Sequence, residues 1–211
     1  GEVQGARAGR LPRLVELRDL RGDLHVHTDA VGGKSTLRDM VAACIAHGYE
    51  YVAITDHTRS AENTSGLDRP ALKKQHRAIE ALRRDLPDIT ILHGAEVDIL
   101  TDGQLALDDA TLGDLDYVLA SVRSTRGMSE QAMTERVLAA LRNPHVNALA
   151  HPARRIVGER EEVTIDLAKV VAAARDAGVF LEIVARPGRL DVSDAVIRMA
   201  REAGARNVVV S

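Results

Sequence analysis

The sequence predicts an α/β fold in which parallel strands alternate with helices. Short apolar runs recur along the chain from residue 22 onward, and segments with helical periodicity separate most of them. Several runs are continuously apolar, which is typical of strands buried on both faces of a parallel sheet. The carboxyl ends of such strands meet at one edge, so functional side chains are expected there.

Seven strands follow from these runs, and the first is the short segment that ends in His27. Later runs such as YVAIT and VNALA contain almost no polar residue, which favours strands over exposed loops. The alternation fits either an open sheet or a barrel. The strands are predicted at 24–27, 51–55, 89–96, 117–122, 146–150, 179–184 and 207–211.

Helices are expected between most strands because apolar residues there recur every three to four positions. The first has a capping pair, Thr36 with Asp39, at its start and Gly48 at its end. Pro70 suits the first turn of the second helix. Only a turn and an extended piece are expected between the third and fourth strands. The helices are predicted at 35–48, 70–86, 129–142, 166–177 and 193–203.

Composition limits the classes of protein that the 211 residues can form. Hydrophobic residues make up 45% and aromatic residues 2%, so a core of Ala, Val, Leu and Ile is expected. The net charge of −3 excludes a generally basic coat for nucleic acid but permits a local basic patch. One cysteine, Cys44, excludes a disulfide framework, which favours a cytoplasmic protein. No apolar run approaches the roughly 20 residues of a membrane span. Residues 1–20 lack periodicity, so we expect a linker from an upstream domain.

Nitrogen and oxygen donors are concentrated at the predicted strand ends. His25 and His27 belong to the first strand and, being two apart, point to one face. His57, Glu96 and His151 close three later strands. A sheet or barrel would bring these five side chains to one rim, where imidazole and carboxylate suit Zn, Mn or Fe. The alternative is a set of histidines satisfied by backbone acceptors.

Other polar residues near these positions have subsidiary interpretations. Asp23 and Asp56 are candidate acceptors that would orient ligand rings. His93 is expected to be a satisfied core histidine, and His76 a solvated helix residue. The segment 154–162 is most simply a solvated loop, although its arginines, with Arg123 and Arg126, could contact phosphate.

Six sequence segments together resemble the motifs of a known protein family. The combination, in order and spacing, is similar to the PHP (polymerase and histidinol phosphatase) domain, closest to the C-terminal PHP domain of bacterial family X DNA polymerases. The resemblance covers residues 18–211. Its motifs are RGDLHVHT, GYEYVAITDHT, HGAEVDI, ASVRS, NPHVNALAHP and FLEIVARPGRLDVSD.

The resemblance implies a distorted seven-stranded (βα)7 barrel over residues 21–211, with up to three metal ions at its rim. It also implies phosphoester hydrolysis, which in the polymerase relatives is 3′-5′ exonuclease or DNA-end processing, and a polymerase domain upstream in cis. Position by position, the implied ligands are His25, His27, His57, Glu96 and His151. Metals there would polarise a phosphate and lower the pKa of bound water.

The chain departs from the family pattern at three places. Gly32 stands where relatives have an acidic residue, and Arg123 where they have histidine. The family's closing Asp-x-His motif would begin at Ser211, so the C-terminal end is expected to be incomplete. We therefore expect fewer than three ions of Zn or Mn, or none.

Three functions remain open on this evidence. The first is a metal-dependent phosphoesterase that acts on DNA 3′ ends. The second is a catalytically silent barrel that serves as a structural or DNA-contacting module. The third is a free-standing small-molecule phosphatase similar to histidinol phosphatase. Because guanidinium carries a fixed charge and cannot bind metal, we predict that Arg123 pairs with Glu96, replaces a metal's charge and offers N–H groups to phosphate.

Overall fold

The structure, a computed structural model, describes residues 2–10, 13, 15–125, 127–159, 162–186, 188–189 and 191–210, with the backbone alone for residues 2 and 207–210. Arg126 and Ser211, on which two expectations depend, lie outside the described residues. No helix in the described part of the chain has the length and apolar character needed to cross a membrane.

The fold is α/β, and its sheet is entirely parallel and curled. Neighbouring strands are consecutive in the chain, so the sheet order is β1 to β7. Strands β1 to β6 form the curled half-barrel, and β7 continues the sheet beside β6. The strands are β1 (Gly22–Val26), β2 (Tyr51–Ile54), β3 (Thr90–Asp98), β4 (Tyr117–Ser121), β5 (Ala148–Leu149), β6 (Phe180–Val184) and β7 (Asn207–Val210).

Helices cover the outer face of the sheet. Five of them lie within two residues of the predicted bounds, and Thr36 caps the first by accepting a hydrogen bond from the Asp39 backbone. Residues 1–20, expected to lack periodic structure, contain α1 and a 3-10 turn at Leu17–Asp19. The helices are α1 (Glu2–Arg7), α2 (Leu37–Ala46), α3 (Arg69–Asp85), α4 (Asp109–Leu112), α5 (Glu130–Leu141), α6 (Leu167–Ala177) and α7 (Asp194–Ala203).

The hydrophobic core has two parts, one between the helices and the sheet and one inside the curl of the sheet. Outside, Val41 of α2 and Ile79 of α3 pack with Ile54 of β2, and all three are completely buried. Each such side chain contributes about 1.5–3 kcal/mol relative to an exposed position. Inside the curl, residues as small as Ala53 and Ala148 pack together. The carboxyl ends of β1, β3 and β6 approach one another, since His25 contacts both Glu96 and Glu182.

Candidate metal centre

Backbone geometry brings the predicted ligands to the carboxyl ends of four strands. A register shift between Asp23 and Val26 interrupts the pairing of β1 with β2, and His25 lies inside this irregular stretch. His57 forms an isolated parallel bridge with Glu96 just beyond β2. His151 follows β5 with a φ of 29°, an unusual backbone angle for a residue with a side chain. All five predicted ligands therefore lie at one rim.

Glu96 is the centre of this cluster and is only 2% exposed. Its Oε2 atom lies 3.0 Å from His25 Nε2, 3.3 Å from His27 Nε2 and 3.1 Å from His57 Nδ1. Its Oε1 atom lies 3.3 Å from His151 Nε2. One buried carboxylate thus faces four imidazoles, which is the arrangement that a shared metal ligand requires.

The donor spacing fits a small divalent metal. His25 Nε2 and His27 Nε2 are 3.1 Å apart, and each lies within 3.3 Å of Glu96 Oε2. Ligand atoms in tetrahedral zinc sites are about 3.3 Å apart, given Zn–N bonds of about 2.0–2.1 Å. Two further triads have all ligand atoms within 4.8 Å of one another: His25, Glu96 and His151, and His27, His57 and Glu96. The residues present therefore suit Zn or Mn through nitrogen and carboxylate donors.

Glu182 of β6 also belongs to the cluster, although the sequence did not point to it. It is completely buried. Its Oε1 atom lies 2.5 Å from His25 Nδ1, while its Oε2 atom accepts a hydrogen bond of 2.5 Å from the His151 backbone N–H. A carboxylate on the far ring nitrogen orients a metal-binding histidine and makes it more basic. The available signal was the lone charged residue within the apolar run FLEIV.

The two predicted orienting acceptors have other partners. Asp23 accepts a hydrogen bond from the backbone N–H of His25, 3.0 Å away, whereas the His25 ring meets Glu182. Asp56 accepts from the backbone N–H and hydroxyl of Thr28 and from Gln75 Nε2, each at 2.6 Å. Its nearest distance to His27 Nδ1 is 4.0 Å, too long for a hydrogen bond. Both aspartates therefore fix backbone or neighbouring side chains around the site.

Arg123 does not contact Glu96, so that part of the prediction was wrong. Its Nε atom donates to both carboxylate oxygens of Asp98 at 3.2 Å, and its Nη2 lies 2.8 Å from His57 Nδ1. The strand register explains the difference. Glu96 is level with Leu119, four residues before Arg123, whereas Asp98 is level with Ser121 and lies closer along the sheet.

The pKa values of the imidazoles reflect these different partners. Burial disfavours the charged form of His25, yet the carboxylates of Glu182 and Glu96 outweigh it and raise its pKa well above the usual range. The pKa of His57 is lowered to about 4, mainly by burial. The Glu96 carboxylate opposes this shift, whereas the charges of His27 and Arg123 lower the pKa further. For Glu96, burial is outweighed by hydrogen bonds from His151, His25 and His27, which lower its pKa.

The cluster forms the floor of an open cavity of about 340 Å³ with a basic wall. Arg123, Arg154, Arg186 and Arg189 line it together with the candidate ligands. A cavity with a cation-binding floor and guanidinium walls suits an anionic substrate such as a phosphoester.

Two curated proteins are similar to the chain over most of its length. It is 39% identical over 196 residues to "DNA polymerase/3'-5' exonuclease PolX" of Bacillus subtilis, covering 93% of this chain and 34% of that protein. The chain thus spans about a third of that relative. It is 31% identical over 195 residues to a "Probable phosphatase" of Acetivibrio thermocellus, covering 88% of this chain and 76% of that protein.

A solved structure and a family match agree with the fold described above. Histidinol phosphate phosphatase from Lactococcus lactis, crystallised with zinc, L-histidinol and phosphate, superposes with a TM-score of 0.60 at 18% identity. The match covers 90% of this chain and 85% of that one. Residues 23–186 match the PHP domain family. The predicted resemblance is confirmed, and the chain belongs to the PHP domain family.

Proposed function

We propose that the chain is a metal-dependent phosphoesterase domain that processes DNA 3′ ends, in the manner named for its Bacillus subtilis relative. The observation that carries the proposal is the buried Glu96 carboxylate, which lies within 3.3 Å of four imidazoles at the floor of a basic cavity. A site of this kind attracts divalent metal at its floor and phosphate at its walls.

His25, His27, Glu96 and His151 are the residues that would hold the metal, which we take to be Zn or Mn. When bound, such a metal polarises a phosphoryl oxygen and lowers the pKa of water. Glu182 holds the His25 ring through Nδ1 and the His151 backbone through its N–H, so it presents both ligands in fixed orientation. Leu119 and Ala150 are buried in the apolar interior beneath the rim.

Arg123 supplies a fixed positive charge at the His57 end of the cluster. Asp98, only 3% exposed, anchors its Nε, and Ser60 in turn donates a 2.5 Å hydrogen bond to Asp98. Arg123 Nη2 donates to the His57 Nδ1 lone pair, which is the same lone pair that a metal would need. We therefore propose fewer than three metal ions, with the Arg123 guanidinium replacing one ion's charge and contacting substrate phosphate.

Several broader expectations belong to the same proposal. The seven strands close into a distorted barrel, which the approach of β7 to β1 supports. Residues 21–211 form the PHP domain, and residues 1–20 lead in from a polymerase domain in the same protein. We expect the protein to act in the cytoplasm, where DNA ends are available.

A small-molecule phosphatase is the second candidate. Two observations favour it: the likeness to "Probable phosphatase" sequences and the modest cavity of about 340 Å³, which suits a single phosphate monoester. Substrate comparison separates the two candidates.

The test is hydrolysis by the purified chain with added Zn²⁺ or Mn²⁺. Oligodeoxynucleotides with a 3′-hydroxyl, histidinol phosphate and p-nitrophenyl phosphate are offered in parallel. We expect metal-dependent shortening of the oligonucleotide from its 3′ end, and loss of this activity in Glu96→Gln. Preferential turnover of a monoester would favour the second candidate. No metal-dependent turnover of any substrate, with wild-type folding intact, would instead support the silent barrel.

Metal stoichiometry tests the role of Arg123 without reference to activity. Arg123→His should raise the metal content by one equivalent, measured by elemental analysis of dialysed protein. The reason is that the new imidazole can bind metal, and His57 Nδ1 is released from its hydrogen bond with Arg123. Arg123→Ala should leave Asp98 buried without its cation and cost about 1–3 kcal/mol of stability in urea unfolding. Unchanged metal content in Arg123→His would contradict the assigned role.

A further inference from the structure

A second basic region lies on α3, outside the metal centre. Arg69, Lys73 and Arg77 are exposed and follow one another at intervals of four residues, so they form one row along the helix. Among the residues that the structure describes, none of the three has an acidic partner within 4.0 Å. Arg83 on the same helix, by contrast, pairs with Glu80 and Asp116. The row is therefore a local patch of positive charge on a chain whose net charge is −3, with Asp108 close enough to Arg69 to interact with it electrostatically.

A cavity of about 340 Å³ lies beside this row, between α3 and the segment around residues 111–115. Leu72 and Leu115 give it apolar walls. Asp114 is the one acidic side chain among its described lining residues, against three cations. The cavity thus combines room for a flat apolar group with a cationic edge. The described lining residues are Arg69, Leu72, Lys73, His76, Arg77, His93, Thr111, Asp114 and Leu115.

Two histidines in this cavity differ from what the sequence predicts. His76, expected to be solvated, is half-buried, and its Nδ1 lies 3.3 Å from Nδ1 of His93. His93 is only 2% exposed, and its Nε2 has no hydrogen-bond partner among the described residues. It is therefore not the satisfied core histidine that the sequence suggested.

The helix that carries the row also packs behind the metal centre. Gln75 of α3 donates a 2.6 Å hydrogen bond to Asp56, the neighbour of His57 in the chain. The loop that follows His57 leads directly into Asp68, the N-cap of α3. Arg69 consequently lies at the same end of the fold as the metal centre, and Lys73 and Arg77 continue the row away from it.

We propose that the groove formed by Arg69, Lys73, Arg77 and the His76–His93 cavity binds a nucleotide unit of single-stranded DNA. The proposal rests on the function proposed above, because the bound strand is the one whose 3′ end enters the metal centre. The three cations contact successive phosphates, and one unpaired base enters the cavity between Leu72 and Leu115. Asp114 can accept a hydrogen bond from an N–H group of the base, such as N3–H of thymine. Duplex DNA does not fit, since its bases are not free to enter.

The experiment measures binding in EDTA, so that metal plays no part. Fluorescein-labelled oligothymidylate is titrated with the wild type and with Lys73→Gln/Arg77→Gln, and anisotropy is followed at several salt concentrations. We expect weaker binding by the variant and a salt slope smaller in magnitude by about 1.4, since each phosphate contact in a single strand contributes about 0.7. Arg84→Gln, an exposed position near the end of α3, is the matched control and should bind like the wild type.

The base cavity is tested by an abasic oligonucleotide of the same length. Wild type should bind it several-fold more weakly than oligothymidylate, and Leu115→Trp, which fills the cavity, should reduce that difference. Equal affinities of wild type and Lys73→Gln/Arg77→Gln, or an equal loss in Arg84→Gln, would overturn the proposal. Equal binding of abasic and normal strands would overturn the base site. Failure of the wild type to hydrolyse any phosphoester contradicts the proposed function alone, because the binding measurements need no catalysis.

Discussion

The two ends of the imidazole cluster share Glu96 but differ in the charged side chain that contacts their histidines. At one end, Glu182 lies against the His25 ring and the His151 backbone, so negative charge supports the ligands. At the other, the Arg123 guanidinium lies 2.8 Å from His57 Nδ1 and occupies its lone pair. His25 is thus held by a carboxylate that favours metal binding, whereas His57 already contacts a cation, the Arg123 guanidinium. The comparison indicates that the charged groups around a histidine, and not its presence alone, decide whether its ring nitrogen is available to a metal.

Replacing the shared carboxylate should have the largest effect, because both ends depend on it. Glu96→Gln keeps the size of the side chain but removes the charge that faces four imidazoles. We expect metal affinity to fall by more than the roughly 10–100-fold typical of outer residues. Isothermal titration with Zn²⁺ or Mn²⁺ measures this, and Asp85→Asn on the exposed end of α3 is the control. Near-normal affinity in Glu96→Gln would show that the cluster is not the metal site.

Removing one histidine at each end tests the asymmetry directly. His151→Asn should lower metal affinity by at least about 100-fold, whereas His57→Asn should lower it by about tenfold or less. The reason is that His57 Nδ1 already accepts from Arg123, while His151 Nε2 is directed at Glu96 Oε1. Titration calorimetry of the two variants under identical conditions provides the measurement. Equal losses of affinity in the two variants would mean that metal displaces Arg123 from His57 Nδ1. The two ends of the cluster would then be equivalent.

Glu182→Gln addresses the support at the His25 end. The amide retains hydrogen bonds but loses the charge that favours a basic His25 ring, so metal affinity should fall by about 10–100-fold. The unfolding midpoint with metal present should fall relative to wild type, since bound metal stabilises the folded state. Glu159→Gln, on an exposed loop, is the control. Unchanged affinity would assign Glu182 a purely structural role.

His93 extends the comparison to an imidazole whose ring has no acidic hydrogen-bond partner among the described residues. Burial, followed by the nearby His76 charge, lowers the pKa of His93 from its ordinary 6.5 to about 4. Between these values the unfolded chain binds more protons than the folded one, so stability rises with pH and is lost on acidification. The slope reaches about 1.4 kcal/mol per pH unit for one proton.

His93→Asn should therefore flatten the dependence of unfolding free energy on pH between pH 4 and 6.5, measured by urea unfolding in EDTA. His47→Asn, on the exposed end of α2, serves as the matched control. An unchanged slope in His93→Asn would show that another group controls acid unfolding. The test uses the slope of unfolding free energy against pH and not the absolute stability of the variant, because the slope reports the difference in bound protons between the unfolded and folded states.

Much of the architecture could be predicted from local sequence because the apolar runs and the helix caps coincide with the element ends. The candidate ligands could be predicted as a set since parallel strands bring their carboxyl ends together. The partner of Arg123 could not, because it depends on the register between β3 and β4, which a single sequence does not specify. Glu182 was missed for a related reason: the sheet must curl before β6 meets β1. The exposure of His76 was misjudged because the packing of α3 against β3, where His93 lies, is a long-range contact.

The position of Glu182 in β6 has a consequence for how the protein is made. The candidate ligands are all synthesised by residue 151, whereas the carboxylate that orients His25 and His151 follows 31 residues later. A nascent chain that has exposed only β1 to β5 carries the histidines without this support. We therefore predict that high-affinity metal binding is a late event of biosynthesis, completed only after β6 has left the ribosome and joined the sheet. A chain truncated before residue 180 would retain every predicted ligand, yet we expect it to bind metal more weakly than the full chain because it lacks Glu182.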